Sequence, residues 1–406
     1  MKTRKVSIAV ALIAAVGVLS AGTSSAQNEN TSANDVTASH HGSADGWRGI
    51  SRKSVSIDLG RGWIAKGEFT APASAHRKLP LVVLLHGSGH NDMNETLPDG
   101  GSVFVSVAQT ANRAGFAVLR FNKRGVTGLG PTLTDDESQL FPEKPYEQIV
   151  ADAASVTRFG ASLPGVDPTR VYLLGHSEGT QVAANLAANP GVANIPKPAG
   201  VIAMGVVGTD IRTILTYQLF GVRLAQLHEE FDVDSDGSLT RNEISDGMIG
   251  QPAELVAYYR DVLLAGDQVK PETDTDHNGA LTIDAEVGRV LREKSRIDDY
   301  PNSVGIDDHL RSWLADIDRF PNVTADLPKY DGPSLLLNGE NDTNTPARLA
   351  HIASAAVTKA GRRDHTLITY PGVGHAMNLA SKFTGKFGEP DPTVLKDLGN
   401  WLKAHR

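Results

Sequence analysis

Short apolar runs alternate with stretches of helical spacing along most of the chain. Runs of about four to eight apolar residues bounded by turn residues are typical of buried strands, whereas apolar residues that recur every three or four positions are typical of helices. An antiparallel strand pair is predicted at residues 55–59 and 63–70. The later predicted strands span residues 81–86, 117–122, 170–175, 200–204, 333–338 and 366–370. The predicted helices between and after them lie near residues 103–114, 146–163, 178–188, 346–360 and 392–403.

This alternation predicts an α/β fold with a mostly parallel sheet, because parallel strands need crossover connections, and these place helices on both faces of the sheet. An acidic, helical stretch at about residues 207–328 interrupts the pattern between two predicted strands. The pattern resumes afterwards. We therefore interpret residues 207–328 as an insertion that forms a helical cap over the sheet, with the core divided into residues 54–206 and 329–406.

The N-terminus has the pattern of an export signal. Basic residues open the chain, an apolar run occupies residues 6–21, and small residues follow up to Ala26. The run is shorter than the ~20 residues of a membrane-spanning helix, so no stable membrane anchor is expected. We predict a signal peptide at residues 1–26, cleaved after Ala26, and a polar flexible leader at residues 27–53. The mature protein is expected to be secreted or extracytoplasmic.

Composition narrows the chemistry further. Of the 406 residues, 40% are hydrophobic and 21% are charged, a balance that allows a packed core. The net charge is −8 and no basic cluster is present, so the chain offers no electrostatic surface for nucleic acid. The chain has no cysteine, which excludes disulfides, a thiol nucleophile and a lipidated cysteine anchor.

A G-x-S-x-G motif, Gly175-His176-Ser177-Glu178-Gly179, lies between a predicted strand and a predicted helix. In this context the motif forms a tight turn that lifts the serine hydroxyl above the edge of the sheet. The N-terminus of the helix adds N–H donors and the positive end of the helix dipole. We predict Ser177 as a nucleophile.

A serine nucleophile needs a histidine base and a carboxylate that orients it. On this type of scaffold the order along the chain is serine, acid, histidine. Asp342 follows the predicted strand 333–338 and is the favoured acid, with Glu340 as the alternative. His375, in a glycine-rich loop after the last strand, is the predicted base.

Hydrolysis of an acyl compound also needs donors for the developing oxyanion. The loop His86-Gly87-Ser88-Gly89 follows the predicted strand 81–86. We predict the backbone N–H of Ser88 and the backbone N–H of Glu178 as the two donors of an oxyanion hole. In this assignment Ser88 contributes its backbone and not its hydroxyl, and His86 packs beneath the loop.

These motifs resemble the α/β-hydrolase superfamily, in particular a serine esterase branch marked by HGSG, an acidic-Thr loop and a basic-Gly loop. Here the loops are residues 86–96 (HGSGHNDMNET) and 122–125 (NKRG). The resemblance covers about residues 54–205 and 330–406 and implies an α/β-hydrolase fold that cleaves short or medium acyl esters. Asp92, Glu95 and Arg124 in these loops either line the pocket or form structural ion pairs.

Residues 232–243, which we call the first acidic loop, match the EF-hand pattern D-x-D-x-D-G-x₅-E. Oxygens at alternate positions of such a loop converge on one calcium ion, and the sixth position needs glycine for a sharp turn. The predicted calcium ligands are Asp232, Asp234, Asp236, Ser238, Thr240 and Glu243.

Residues 274–286, the second acidic loop, match the same pattern less completely. Its twelfth position is Ala285, and either Asp284 or Glu286, one residue late, could take the place of the missing glutamate. Helices are predicted around the two loops at 213–230, 253–269 and 284–293. The predicted ligands in this loop are Asp274, Asp276, Asn278, Ala280 through its carbonyl, and Thr282.

The sequence therefore predicts a secreted serine hydrolase that cleaves small-molecule carboxylic esters through Ser177, His375 and Asp342, with a cap stabilised by Ca²⁺. A serine peptidase on the same fold is the first alternative, although such peptidases usually carry a large accessory domain. The second alternative is a calcium-binding module without catalytic activity, which the complete order of serine, acid and histidine argues against.

Overall fold

The computed structural model describes residues 44–97, 101–130 and 132–406. The predicted signal peptide and the predicted leader up to residue 43 lie outside the described residues. None of the helices in the described part of the chain is both long enough and apolar enough to span a membrane.

The described residues form twelve strands. They are β1 (Ile50–Asp58), β2 (Ile64–Pro72), β3 (Leu79–Leu85), β4 (Ala117–Phe121), β5 (Val166–His176), β6 (Gly200–Met204), β7 (Ser238–Leu239), β8 (Leu264–Ala265), β9 (Gln268–Val269), β10 (Leu281–Thr282), β11 (Ser334–Gly339) and β12 (His365–Tyr370). Eight of them form the central sheet in the order β1-β2-β4-β3-β5-β6-β11-β12. β2 is antiparallel to both of its neighbours, and every other adjacent pair is parallel, which confirms the predicted mostly parallel sheet.

Helices cover both faces of this sheet. The α-helices are α1 (Val103–Arg113), α2 (Glu137–Leu140), α3 (Pro145–Ser162), α4 (Glu178–Ala188), α5 (Pro190–Ala193), α6 (Ile211–Thr216), α7 (Val222–Gln226), α8 (Arg241–Gly247), α9 (Ala253–Leu263), α10 (Gly288–Ser295), α11 (Asp308–Ile317), α12 (Val323–Asp326), α13 (Ala347–Lys359) and α14 (Pro392–Ala404). Three π-helical segments extend them, namely Tyr217–Gly221, Leu227–Phe231 and Ile283–Val287.

Two hydrophobic clusters fill the space between the sheet and its helices. Side chains along a strand point alternately to the two faces. In β3, Leu81 and Val83 belong to the cluster that includes α3, α4 and α13, whereas Val82 and Leu84 belong to the cluster that includes α1 and α14. The nearly continuous apolar sequence of β3 is thus explained by burial on both faces.

A third hydrophobic cluster belongs to the insertion alone. It runs from Leu227 to Leu291, a segment we call the acidic-loop subdomain. Ile214, which precedes this segment, and Leu314, which follows it, belong instead to a cluster of the central sheet. The predicted cap 207–328 therefore consists of a subdomain with its own core, flanked by helices that pack on the sheet.

Two predicted boundaries were wrong. The helix predicted at 253–269 ends at Leu263, because β8 and β9 form a hairpin whose turn contains Gly266 at a φ of +62°. A two-residue Gly-Asp loop favours such a hairpin, since glycine adopts a positive φ without strain. The leader predicted at 27–53 extends too far, because β1 begins at Ile50 and pairs with β2.

Candidate active site

Ser177 occupies the turn between β5 and α4, with φ 53° and ψ −121°. This strained backbone is possible because glycine flanks it on both sides. A Cβ on Gly175 would lie 2.0 Å from the carbonyl oxygen of Gly179, and a Cβ on Gly179 would lie 2.1 Å from that of Leu85. The G-x-S-x-G spacing is thus a steric requirement of the turn, which holds Ser177 at the end of β5.

His375 and Asp342 meet in the loops that follow β12 and β11. The Nδ1 atom of His375 lies 2.9 Å from Oδ2 of Asp342. The carboxylate is held in place by the backbone N–H groups of Asn344 and Thr345, at 2.8 and 2.7 Å, and by the Thr345 hydroxyl at 2.9 Å. Glu340, the alternative acid, is exposed and accepts a hydrogen bond from the Thr369 hydroxyl. Of the two candidate acids, only Asp342 contacts His375.

Ser177 and His375 are linked through their immediate neighbours. The N–H of Ser177 donates to the carbonyl of Met204 at the end of β6, and a Cβ on the next residue, Gly205, would lie 3.2 Å from Cε1 of His375. The ring of His176 also stacks at 5.0 Å from the ring of His375. The carboxyl ends of β5, β6, β11 and β12 therefore bring Ser177, His375 and Asp342 to one edge of the sheet.

The loop after β3 packs directly against Ser177. A Cβ on Gly87 would lie 3.1 Å from the Cβ of Ser177. The N–H of Ser88 donates to no acceptor within the described ranges, and the N–H of Glu178 is among the first N–H groups of α4, which have no partner inside the helix. Both amides that were predicted for the oxyanion hole are therefore available as donors.

The side chain of Glu178 has partners that sequence reasoning missed. Lys123 Nζ lies 2.9 Å from its Oε2, and the indole N–H of Trp313, in α11, donates to its Oε1 at 2.8 Å. Lys123 belongs to the basic-Gly loop that the motif analysis had singled out, but no local signal marks Trp313. This contact fastens the insertion to the residue that follows Ser177.

The other motif residues are structural partners. His86 is buried between Phe104 and Phe121, and burial lowers its pKa to about 4. The Arg124 guanidinium forms a buried ion pair with Asp152 at 2.7 Å. These residues support the loops and do not face Ser177 through any contact in the described part of the chain.

The first acidic loop has the backbone of a cation-binding turn. Ser235 and Gly237 have φ values of 60° and 83°. Oxygens of Asp232, Asp234 and Asp236 lie within 4.8 Å of one another. Carboxylates gathered in this way suit a hard cation such as Ca²⁺, which prefers oxygen ligands.

Glu243 closes the first acidic loop. Its Oε1 accepts the N–H of Val233 at 3.1 Å, and its Oε2 accepts the N–H of Thr240 at 2.9 Å. Burial alone raises its pKa, but the hydrogen bonds from Thr240 and Val233 outweigh that effect, and the pKa of Glu243 is lowered. The carboxylate is thus oriented across the loop from Asp232.

The second acidic loop repeats this geometry. His277 and Gly279 have φ values of 59° and 84°, which match the equivalent residues of the first loop. Leu281 pairs with Leu239 between β10 and β7, so the two loops lie side by side. The carboxylates that come within 4.8 Å of one another here belong to Asp274, Asp276 and Glu286.

Glu286 takes the place that Glu243 has in the first loop. Its Oε1 accepts the N–H of Thr275 at 2.6 Å, and its Oε2 accepts the N–H of Thr282 at 2.8 Å. The π-helical segment Ile283–Val287 absorbs the extra residue, because a π turn holds one residue more than an α turn. Asp284, the other substitute considered, is exposed and contacts His228 instead.

The insertion also contacts the loop that carries Asp342. The hydroxyl of Tyr217 donates to the carbonyl of Asp342 at 3.4 Å, and the side-chain amide of Gln218 donates to the carbonyl of Asn344 at 3.0 Å. Both donors lie in the π segment Tyr217–Gly221, on the helical stretch that leads into the first acidic loop.

Comparisons with known proteins agree with this architecture. A sequence profile of the alpha/beta hydrolase family matches residues 82–383. Esterase EstD of Thermotoga maritima is 30% identical over 154 residues, which are 38% of this chain and 33% of that protein, so the chain spans about a third of the length of this relative.

Solved structures with the same kind of fold include Est1E from Butyrivibrio proteoclasticus, with 17% identity, a TM-score of 0.41 and coverage of 87% of this chain and 98% of that one. An esterase from Pyrobaculum calidifontis also has 17% identity, with a TM-score of 0.45 and coverage of 87% and 85%. Because the family profile matches more than half of the sequence, the chain belongs to the alpha/beta hydrolase family.

Proposed function

We propose that this protein is a secreted serine esterase in which Ser177, His375 and Asp342 form the catalytic triad. The observation that carries the proposal is the 2.9 Å contact between His375 Nδ1 and Asp342 Oδ2 at the sheet edge that also holds the strained Ser177 turn. The similarity to Esterase EstD supports an ester as the substrate.

In the proposed reaction, the Ser177 hydroxyl attacks the acyl carbon while His375 Nε2 takes its proton. Asp342 keeps the proton of the imidazole on Nδ1 and stabilises the imidazolium that forms. The N–H groups of Ser88 and Glu178 stabilise the negative oxygen of the tetrahedral intermediate. His375 then gives the proton to the departing alcohol, and water releases the acyl group from Ser177 by the same steps.

The proposal includes calcium in the two acidic loops. In the first loop the ligands are the side chains of Asp232, Asp234, Asp236 and Glu243, with Ser238 and Thr240 completing the set. In the second they are Asp274, Asp276, Asn278, Ala280 through its carbonyl, Thr282 and Glu286. Bound Ca²⁺ would balance the clustered carboxylates and stabilise the acidic-loop subdomain.

The first test compares the mature chain with Ser177→Ala on p-nitrophenyl esters of graded acyl length, in the presence of calcium. We expect the wild type to turn over and Ser177→Ala to lose about 10⁴-fold or more in kcat, because the nucleophile is removed. Ser56→Ala, an exposed serine of β1, serves as the matched control and should keep full activity.

If the wild type hydrolyses no ester in this series, the esterase proposal is wrong, and peptide substrates then distinguish the peptidase from a calcium-binding module. N-terminal sequencing of the exported protein tests the secretion part. We expect it to begin at Gln27.

A further inference from the structure

A buried carboxylate, Glu95, lies beneath the candidate active site. It is 2% exposed, and its Oε1 accepts the backbone N–H of Gly87 at 2.6 Å. The same oxygen lies 3.1 Å from Nδ1 of His176, which is 3% exposed. Each of these neighbours directly precedes a residue of the proposed mechanism, since Gly87 precedes Ser88 and His176 precedes Ser177.

The second ring nitrogen of His176 reaches the third catalytic loop. Its Nε2 lies 3.0 Å from the backbone carbonyl oxygen of His375. A carbonyl oxygen can only accept a hydrogen bond, and the Glu95 oxygen already accepts the N–H of Gly87. Both nitrogens of the ring therefore act as donors, which only the imidazolium form allows.

The electrostatics agree with an ion pair. Burial alone lowers the pKa of His176, but the Glu95 carboxylate more than compensates, and the pKa of His176 is raised. Burial likewise acts to raise the pKa of Glu95, and His176 reverses this, so the pKa of Glu95 is lowered. His86, Asp342 and Lys123 are the other titratable groups close by, and Lys123 approaches from the opposite side of the Gly87 loop.

The ion pair acts on a peptide that other groups also restrain. The carbonyl of Gly87 accepts hydrogen bonds from Lys123 Nζ at 2.9 Å and from the Asn91 side-chain amide at 2.8 Å. This carbonyl and the N–H of Ser88 belong to one planar trans peptide, so fixing the carbonyl fixes the direction of the N–H. Glu95 fixes the preceding peptide through the N–H of Gly87.

On the basis of the proposed function, we infer that the buried Glu95–His176 ion pair positions the catalytic groups, by holding the oxyanion loop at Gly87, the turn at Ser177 and the backbone of His375 in mutual register. The pair does not touch the substrate. Its effect is on the alignment of donors and base in the transition state, where errors of alignment of about 1 Å are costly.

The test measures kcat and KM of Glu95→Gln, His176→Gln and the double variant on a p-nitrophenyl ester, together with thermal unfolding. The glutamine amide in Glu95→Gln can still accept from Gly87, but it cannot pair with an imidazolium. We expect kcat to fall by roughly 10- to 100-fold, with KM changed by less than about threefold, because the loss falls on transition-state alignment. The double variant should be no worse than the poorer single variant, since both remove one interaction.

Glu68→Gln is the matched control. Glu68 is a buried carboxylate paired with Arg120 at 3.1 Å, in strands remote from Ser177. We expect this variant to lose stability and to keep kcat. If Glu95→Gln behaves in the same way, the ion pair is only structural and the inference is wrong.

A second measurement does not depend on turnover. Nitrogen-15 NMR of the wild type at about pH 8, well above the ordinary histidine pKa of about 6.5, should show one histidine with both ring nitrogens protonated, and this signal should vanish in His176→Gln. A neutral His176 overturns the inference even in an active enzyme. A wild type that hydrolyses no ester, with His176 still protonated, overturns the proposed function instead and leaves the ion pair in place.

Discussion

The candidate catalytic site and the two acidic loops both gather carboxylates, but the chain supplies the partners in only one of them. Asp342 is 2% exposed and is matched by His375 and by donors from Thr345. In the acidic loops Asp234 and Asp276 are exposed, and no lysine or arginine in the described part of the chain pairs with a loop carboxylate that faces the proposed ion.

This difference shows two ways of holding negative charge. The carboxylate of Asp342 is oriented by neutral donors and by one imidazole, so its geometry is set by folding alone. Three carboxylates within 4.8 Å repel one another, and the amides of Gly237 and Gly279 offset only part of that repulsion. The acidic loops thus have the charge pattern of a site that a divalent cation completes.

One helical stretch joins the two regions. It begins with α6, passes Tyr217 and Gln218, which contact the Asp342 loop, and ends at Phe231, immediately before Asp232. Arg223 on the same stretch donates to the carbonyl of Phe383, near His375 in the chain. The contrast between the regions can therefore be tested by changing one and measuring the other.

The largest expected effect comes from removing the charge at Asp342. Asp342→Asn should lower kcat by about 10⁴-fold, because an amide at this position no longer fixes the His375 tautomer or stabilises its imidazolium. Calcium affinity should stay the same. Glu340→Gln is the matched control, two positions away and exposed, and its kcat should stay within about twofold. Ester kinetics and calcium titration on the same preparations check both statements, and equal losses in the two variants would contradict the assignment of the acid.

The next effect in size is that of removing calcium. In excess EGTA the wild type should lose about 2.7 kcal/mol of unfolding free energy per site, relative to calcium at 100 times Kd, because only the folded loops bind the ion. Thermal and denaturant unfolding measure this loss. The Glu243→Gln/Glu286→Gln double variant is the control and should show a much smaller calcium-dependent shift. An identical unfolding midpoint for the wild type with and without calcium would contradict the calcium proposal.

Much of the fold could be predicted because its signals are local. The predicted strand 200–204 and helix 178–188 coincide with β6 and α4, since continuous apolar runs and helical spacing reflect burial directly. The Ser177 turn was equally accessible, because the two glycines that it requires are adjacent in sequence.

The remaining features depend on contacts between distant segments. Trp313 donates to Glu178 across the boundary between the insertion and the core, and Glu95 meets His176 across two strands. Neither pair leaves a periodic or motif signal. The length of the acidic-loop subdomain was also misjudged, since no pattern separates helices that pack on the sheet from helices that form a core of their own.

The smallest expected effect separates the two acidic loops from each other. Glu286→Gln should weaken calcium binding at the second loop by at least about tenfold, because a carboxylate next to a divalent ion loses its charge. Asp284→Asn, the matched control two residues away, should change it by less than about twofold, since Asp284 is exposed and contacts His228 instead. Calorimetric titration resolves the two sites in a Glu243→Gln background. If Asp284→Asn weakens binding more than Glu286→Gln does, the π turn at Ile283–Val287 does not bring Glu286 into the role of Glu243, and the two loops are built differently.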